Sequence, residues 1–67
     1  SGIDKLTFED VVKRWNSPEE LIKGEETITG IWIQEDYVYA GTFFGEKKTL
    51  IFDKETALLK SYNIEYY

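Results

Sequence analysis

The stretch TITGIWIQEDYVYAGTFFGEKKTLIFD, residues 27–53, decides how this chain folds. Its hydrophobic period is two, and it is built from Thr, Ile, Val, Tyr, Phe and Trp, side chains that suit a pleated surface. We read a strand over 27–34 turned by Glu35-Asp36, a second over 37–44 turned by Gly45-Glu46-Lys47, and a third over 48–53. Lys54-Glu55-Thr56 then turns the chain into a fourth strand over 57–66, ALLKSYNIEY. Connections this short favour an antiparallel meander in sequential order. Gly30 and Gly41 fall inside these strands, where glycine often marks a bulge or bend.

Alternation assigns faces. In the fourth strand Leu58, Tyr62, Ile64 and Tyr66 share one side with Lys60 and oppose Leu59, Ser61, Asn63 and Glu65, so the first side is the better core candidate. In the second strand neither face is plainly polar. With Ile31 or Trp32, a row of tyrosines and Ile51, the second sheet face is also apolar. Either the sheet curls so that both faces are partly covered, or one face remains an exposed aromatic patch.

Upstream the period becomes helical. Thr7 is a good N-cap, Asp10 stands at N3, and Leu6 can staple against Val11, so a helix starts here with Phe8, Val11, Val12 and Trp15 on its apolar side. Asn16-Ser17-Pro18 ends it. The same residues announce a second short helix: Ser17 as cap, Pro18 at N1, Glu20 at N3, Leu21 and Ile22 as its apolar face, and Gly24 at C′. The expected fold is α+β, two short N-terminal helices packed on a four-stranded antiparallel meander, possible curling included. The expected core is Phe8, Val11, Trp15, Leu21, Trp32, Phe43, Leu50, Phe52, Leu58, Tyr62 and Ile64.

Sixty-seven residues make one domain, with 7–24 helical and 27–67 sheet, because two cores of half that size would not offset chain entropy. Ser1-Gly2 resembles what a protease leaves behind and is set aside. No run of roughly 20 apolar residues could span a bilayer, and a cytoplasmic location without membrane contact is the expectation. The net charge of −5 lies wholly in residues 1–36, which carry nine acids against four bases, whereas 37–67 carry four of each. Nine of the eleven aromatics begin at Trp32.

With no Cys and no His, the chain lacks a thiol nucleophile, an imidazole base and the usual transition-metal ligands. The paired acids Glu25-Glu26 and Glu35-Asp36 match no metal loop, and Ser17 and Ser61 have no imidazole to activate them. Gly41-Thr-Phe-Phe-Gly45 lacks the lysine of a phosphate loop. No enzymatic activity and no cofactor are expected. Direct nucleic-acid binding is not expected either, since Lys47-Lys48 is the one basic cluster.

The aromatic set leads instead to a protein-interaction module, an adaptor, inhibitor or small regulatory subunit. Its candidate contact residues are Tyr37, Tyr39, Tyr62, Tyr66 and Tyr67, on a sheet face or at an edge open to another protein or to a second copy. Two alternatives stand beside it. One is an acidic mimic of nucleic acid that fills a basic groove with Glu9, Asp10, Glu19, Glu20, Glu25 and Glu26, although helix N-termini attract acids anyway. The other is a small-ligand site in a curled, aromatic-lined sheet.

Overall fold

The computed structural model describes residues 5–67; Ser1 and Gly2 lie outside the described residues. Helix α1 covers Phe8–Trp15, and four strands follow: β1 (Glu20–Lys23), β2 (Thr27–Tyr39), β3 (Thr42–Asp53) and β4 (Leu59–Tyr66). They form one antiparallel sheet in the order β1-β2-β3-β4. The meander is therefore as expected. No pairing joins β1 to β4 among the described residues, so the sheet is open rather than curled into a closed form.

The helix begins as its sequence dictates. Thr7 Oγ1 accepts from the Asp10 N–H at 3.2 Å, and Asp10 Oδ2 accepts from the Thr7 N–H at 3.0 Å, a reciprocal capping box. It ends at Asn16, whose φ of 70° turns the chain out of the helix. Phe8, Val11 and Val12 pack with Leu6, Trp32, Leu50, Phe52 and Leu59 into the core, in which Phe52 is wholly buried. The Trp32 Nε1–H donates to Asn16 O at 2.9 Å, tying the helix end to the sheet. A Cβ on Gly30 would stand 2.5 Å from Trp32 Cζ3, so the indole can lie over position 30 because no side chain is there.

The second helix does not form. Residues 20–23 are instead edge strand β1, with Leu21 opposite Gly30 and Ile22 opposite Thr29. So short a helix offers too few internal hydrogen bonds to repay its nucleation, whereas pairing with β2 satisfies the same backbone at once. Gly24 ends the strand in a tight turn, its N–H donating to Thr27 O at 2.8 Å.

The strand boundaries also move. Glu35-Asp36 is no turn: β2 runs through it, with Glu35 opposite Gly45 and Tyr37 opposite Phe44, leaving Asp36 as a bulge. Nor do Gly45-Glu46-Lys47 break β3. The turn lies at Ala40-Gly41, with φ of 52° and 81° at the two central residues, matching the twist that a two-residue hairpin needs. The turn at 54–56 is where the sequence places it, held by Asp53 Oδ1, which accepts from the N–H groups of Glu55 and Thr56 at 2.8 and 3.0 Å.

A second bulge, at Lys60, puts Leu59 opposite Phe52 and Ser61 opposite Ile51. It reverses the phase of the strand's start, so Leu59 rather than Leu58 joins the core. Trp15, Leu21, Tyr62 and Ile64 are exposed and are not core residues. The side chain of Phe43 lies outside the described set.

Candidate functional site

The two bulges redistribute the aromatics. Before Asp36 the even-numbered residues of β2 face α1; after it the odd ones do, so Tyr37 and Tyr39 join the face that carries Trp32. In β3 the same face holds Phe44, Glu46, Lys48, Leu50 and Phe52. In β4, Tyr62, Ile64 and Tyr66 stand opposite Leu50, Lys48 and Glu46 and therefore share it. The expected tyrosine row on the far side of the sheet is thus corrected: the far side carries Ile22, Ile31, Ile33 and Ile51 among threonines and charged residues.

On the helix-bearing face α1 covers one end only. Beyond Trp15, Lys48 reaches across the surface, its Nζ 4.8 Å from the Trp15 ring centroid and 3.3 Å from Gln34 Oε1. Past this polar strip lies an aromatic end. The Tyr37 and Phe44 rings stack at 5.0 Å, and Tyr37, Tyr39 and Tyr66 are exposed here, whereas Tyr62, also exposed, stands level with Leu50 on the helix side of the strip. Tyr67 exchanges backbone hydrogen bonds with Gly45, which puts it on the opposite face by alternation. Four of the five tyrosines singled out from sequence are therefore brought to one face, and the fifth is not.

On the helix side of the strip, bordered by Tyr62, runs an apolar groove of about 210 Å³, lined by Leu6, Trp15, Leu50, Leu59, Tyr62 and Ile64. It is smaller than the roughly 300–1,000 Å³ of most small-ligand pockets, a size that suits a single protruding side chain better. Phe44 and Ile64 belong to this surface and escaped the sequence-based site. The alternating Tyr62-x-Ile64-x-Tyr66 was the available signal for Ile64, whereas Phe44 needed knowledge of the Asp36 bulge.

The acidic residues lie on separate elements. Glu9 and Asp10 sit in the first turn of α1, where Asp10 is engaged in the capping box. Glu19 Oε1 accepts from the Ile33 N–H at 3.0 Å, and Glu20 opens β1. Glu25 and Glu26 line an open cleft with Asp53, Lys54 and Glu55. Hydrogen bonds hold two carboxyls below the ordinary aspartate value: those of Thr7, backbone first and side chain second, act on Asp10, and those from the Thr56 and Glu55 backbone act on Asp53. Among the described residues no group of carboxylates could hold a metal ion, and no helix is long and apolar enough to cross a membrane.

No family model, curated protein or solved structure matches the chain.

Proposed function

We propose that this chain is a non-enzymatic protein-interaction module, an adaptor, inhibitor or small regulatory subunit, which engages another protein through the uncovered aromatic end of its helix-bearing sheet face. The observation that carries this reading is that Tyr37, Tyr39 and Tyr66 are exposed together at the uncovered end of one sheet face, with Tyr62 on the same face bordering an apolar groove nearer the helix. Tyrosine suits such a surface because it offers a large ring and a polar tip while losing few rotamers on binding. Lys48, Glu46 and Gln34 give the patch a polar border of both signs, as interface rims have.

The test is to immobilise the chain and its Tyr37→Ser/Tyr39→Ser variant and compare what each retains from lysate at low and high salt. A protein held by the first, lost by the variant and insensitive to salt supports the reading. Retention that the variant leaves intact, or that salt abolishes, argues for electrostatic recognition by the acidic residues instead. Circular dichroism of the variant should match the parent; loss of the fold would make these tyrosines structural and end the proposal.

A further inference from the structure

The outer edge of β4 has a defined hydrogen-bonding phase. Gly45 and Tyr67 exchange both backbone bonds, at 2.8 and 3.0 Å, so Tyr67 is a hydrogen-bonded partner of β3. By alternation Glu65, Asn63 and Ser61 also turn their N–H and C=O groups toward β3, and Tyr66, Ile64 and Tyr62 turn theirs outward. The start of this edge already pairs with backbone at the entry to α1 through an isolated bridge. Leu59 N–H donates to Leu6 O at 2.8 Å, Phe8 N–H donates to Ala57 O at 2.9 Å, and Thr7 bridges Leu58. From Tyr62 to Tyr66 no described residue covers it.

The uncovered segment reads Tyr62-Asn63-Ile64-Glu65-Tyr66, and it is self-complementary about Ile64. We propose that two copies of this chain pair β4 with β4, antiparallel about a two-fold axis through Ile64, to join their sheets into one. A two-fold axis perpendicular to the sheet keeps both helix-bearing faces on the same side, which requires even-numbered residues to oppose even-numbered ones. Tyr62 then lies opposite Tyr66 of the second copy, Ile64 opposite Ile64, and Tyr66 opposite Tyr62. Each of these pairs has its N–H and C=O groups free to exchange two hydrogen bonds.

The side chains agree with that register. On the helix-bearing face it sets ring beside ring and aliphatic beside aliphatic, the cross-strand combinations that stabilise sheets. Tyr66 of the second copy arrives next to Tyr62, at the mouth of the groove formed by Leu6, Trp15, Leu50, Leu59, Tyr62 and Ile64. On the other face Asn63 meets Glu65, an amide donor against a carboxylate. The acidic excess resides in residues 1–36, whereas β4 carries one base, Lys60, and one acid, Glu65, so the seam itself sets no like charges against each other in bulk.

This inference rests on reading the tyrosine-bearing end as an interaction surface, and it names a second copy as one occupant of its edge. Sedimentation equilibrium over a range of concentrations should show the parent chain approaching twice the single-chain mass. Ile64→Lys should hold it at the single-chain mass with an unchanged circular dichroism spectrum, because two lysines would face each other across the axis. Tyr37→Ser/Tyr39→Ser, which leaves β4 untouched, should dimerise like the parent; loss of lysate binding in that variant with dimerisation intact separates the two readings.

The absence of native cysteine allows the register to be read directly. Asn63 and Glu65 of the second copy form a non-hydrogen-bonded pair with Cα atoms about 4.5 Å apart, within the roughly 4.4–6.8 Å that a disulfide spans. Mixing the Asn63→Cys chain with the Glu65→Cys chain and oxidising should give mixed disulfides in excess of the two homodisulfides together. A single-chain mass at every concentration overturns the proposal, as does dimerisation that survives Ile64→Lys. A statistical mixture of disulfides, or an excess of Asn63→Cys homodisulfide, overturns the Ile64-centred register.

Discussion

The two ends of the helix-bearing face are made from the same strands and are equally aromatic, yet only one is a core. At the covered end Trp32 and Phe52 pack against Phe8 with ring centroids 5.4 to 6.3 Å apart, and Phe52 is 0% exposed. At the other end Tyr39 is 71% and Tyr66 75% exposed. Length explains the contrast better than composition. A helix of eight residues reaches about 12 Å at ~1.5 Å per residue, whereas a strand of thirteen reaches about 43 Å at ~3.3 Å per residue. One helix therefore roofs less than half of the sheet, and aromatic surface beyond Trp15 is left open by geometry.

The strongest way to break that contrast is to truncate one ring at each end. Phe52→Ala should cost about 3–5 kcal/mol, the usual consequence of deleting a buried aromatic, which is a large share of the stability of so small a domain. Tyr39→Ser should change stability by no more than about 0.5 kcal/mol, as exposed substitutions do. Urea unfolding of both variants decides the matter. If Tyr39→Ser is as costly as Phe52→Ala, the open end is a second core and the contrast is false.

A finer test acts inside the covered end. Gly30→Ala would drive a methyl into the Trp32 indole, whose Cζ3 and Cη2 lie 2.5 and 2.6 Å from where the new Cβ would stand, and the ring cannot move without disturbing its bond to Asn16 O. Overpacking of this kind costs about 1–3 kcal/mol. The near-ultraviolet dichroism of the tryptophans should change with it, and an unaltered signal would mean that the indole has room to spare.

The residues that were legible in the sequence are those whose signals are local and agree with the tertiary structure. Thr7 and Asp10 cap α1, Asp53 and the residues after it turn, and Val11, Trp32, Leu50 and Phe52 are buried, all as their patterns imply. Ser17 through Gly24 carry equally local helix signals, but pairing with β2 outweighs them. The hairpin at Ala40-Gly41 was hidden because alanine is a poor indicator of positive φ. The candidate surface was half legible. Alternation groups Tyr37 with Tyr39 and Tyr62 with Tyr66 within each strand, but only the bulges at Asp36 and Lys60 decide which face each pair joins and which leucine enters the core. A bulge is one unpaired residue with no composition of its own, so period-two reading passes straight over it.

The smallest expected effect comes from pH, and it also separates the two ends, because both shifted carboxyls belong to the capped and turned regions near the core rather than to the aromatic end. Asp10 accepts from Thr7, and Asp53 from Thr56 and Glu55, which lowers both below their ordinary 3.8 in the folded chain. The unfolded chain binds protons at these sites first as pH falls, so stability is present above 3.8 and is lost progressively as pH drops toward the lower folded values. Urea midpoints should be flat with respect to these two groups above about pH 5 and decline below it. Asp10→Asn and Asp53→Asn keep an oxygen to accept the same N–H groups but cannot ionise, so each should reduce the acid-side slope while Tyr37→Ser/Tyr39→Ser leaves it unchanged. A slope that both Asn variants leave intact would assign the acid sensitivity to other carboxylates and remove Asp10 and Asp53 as the charged anchors of the covered end.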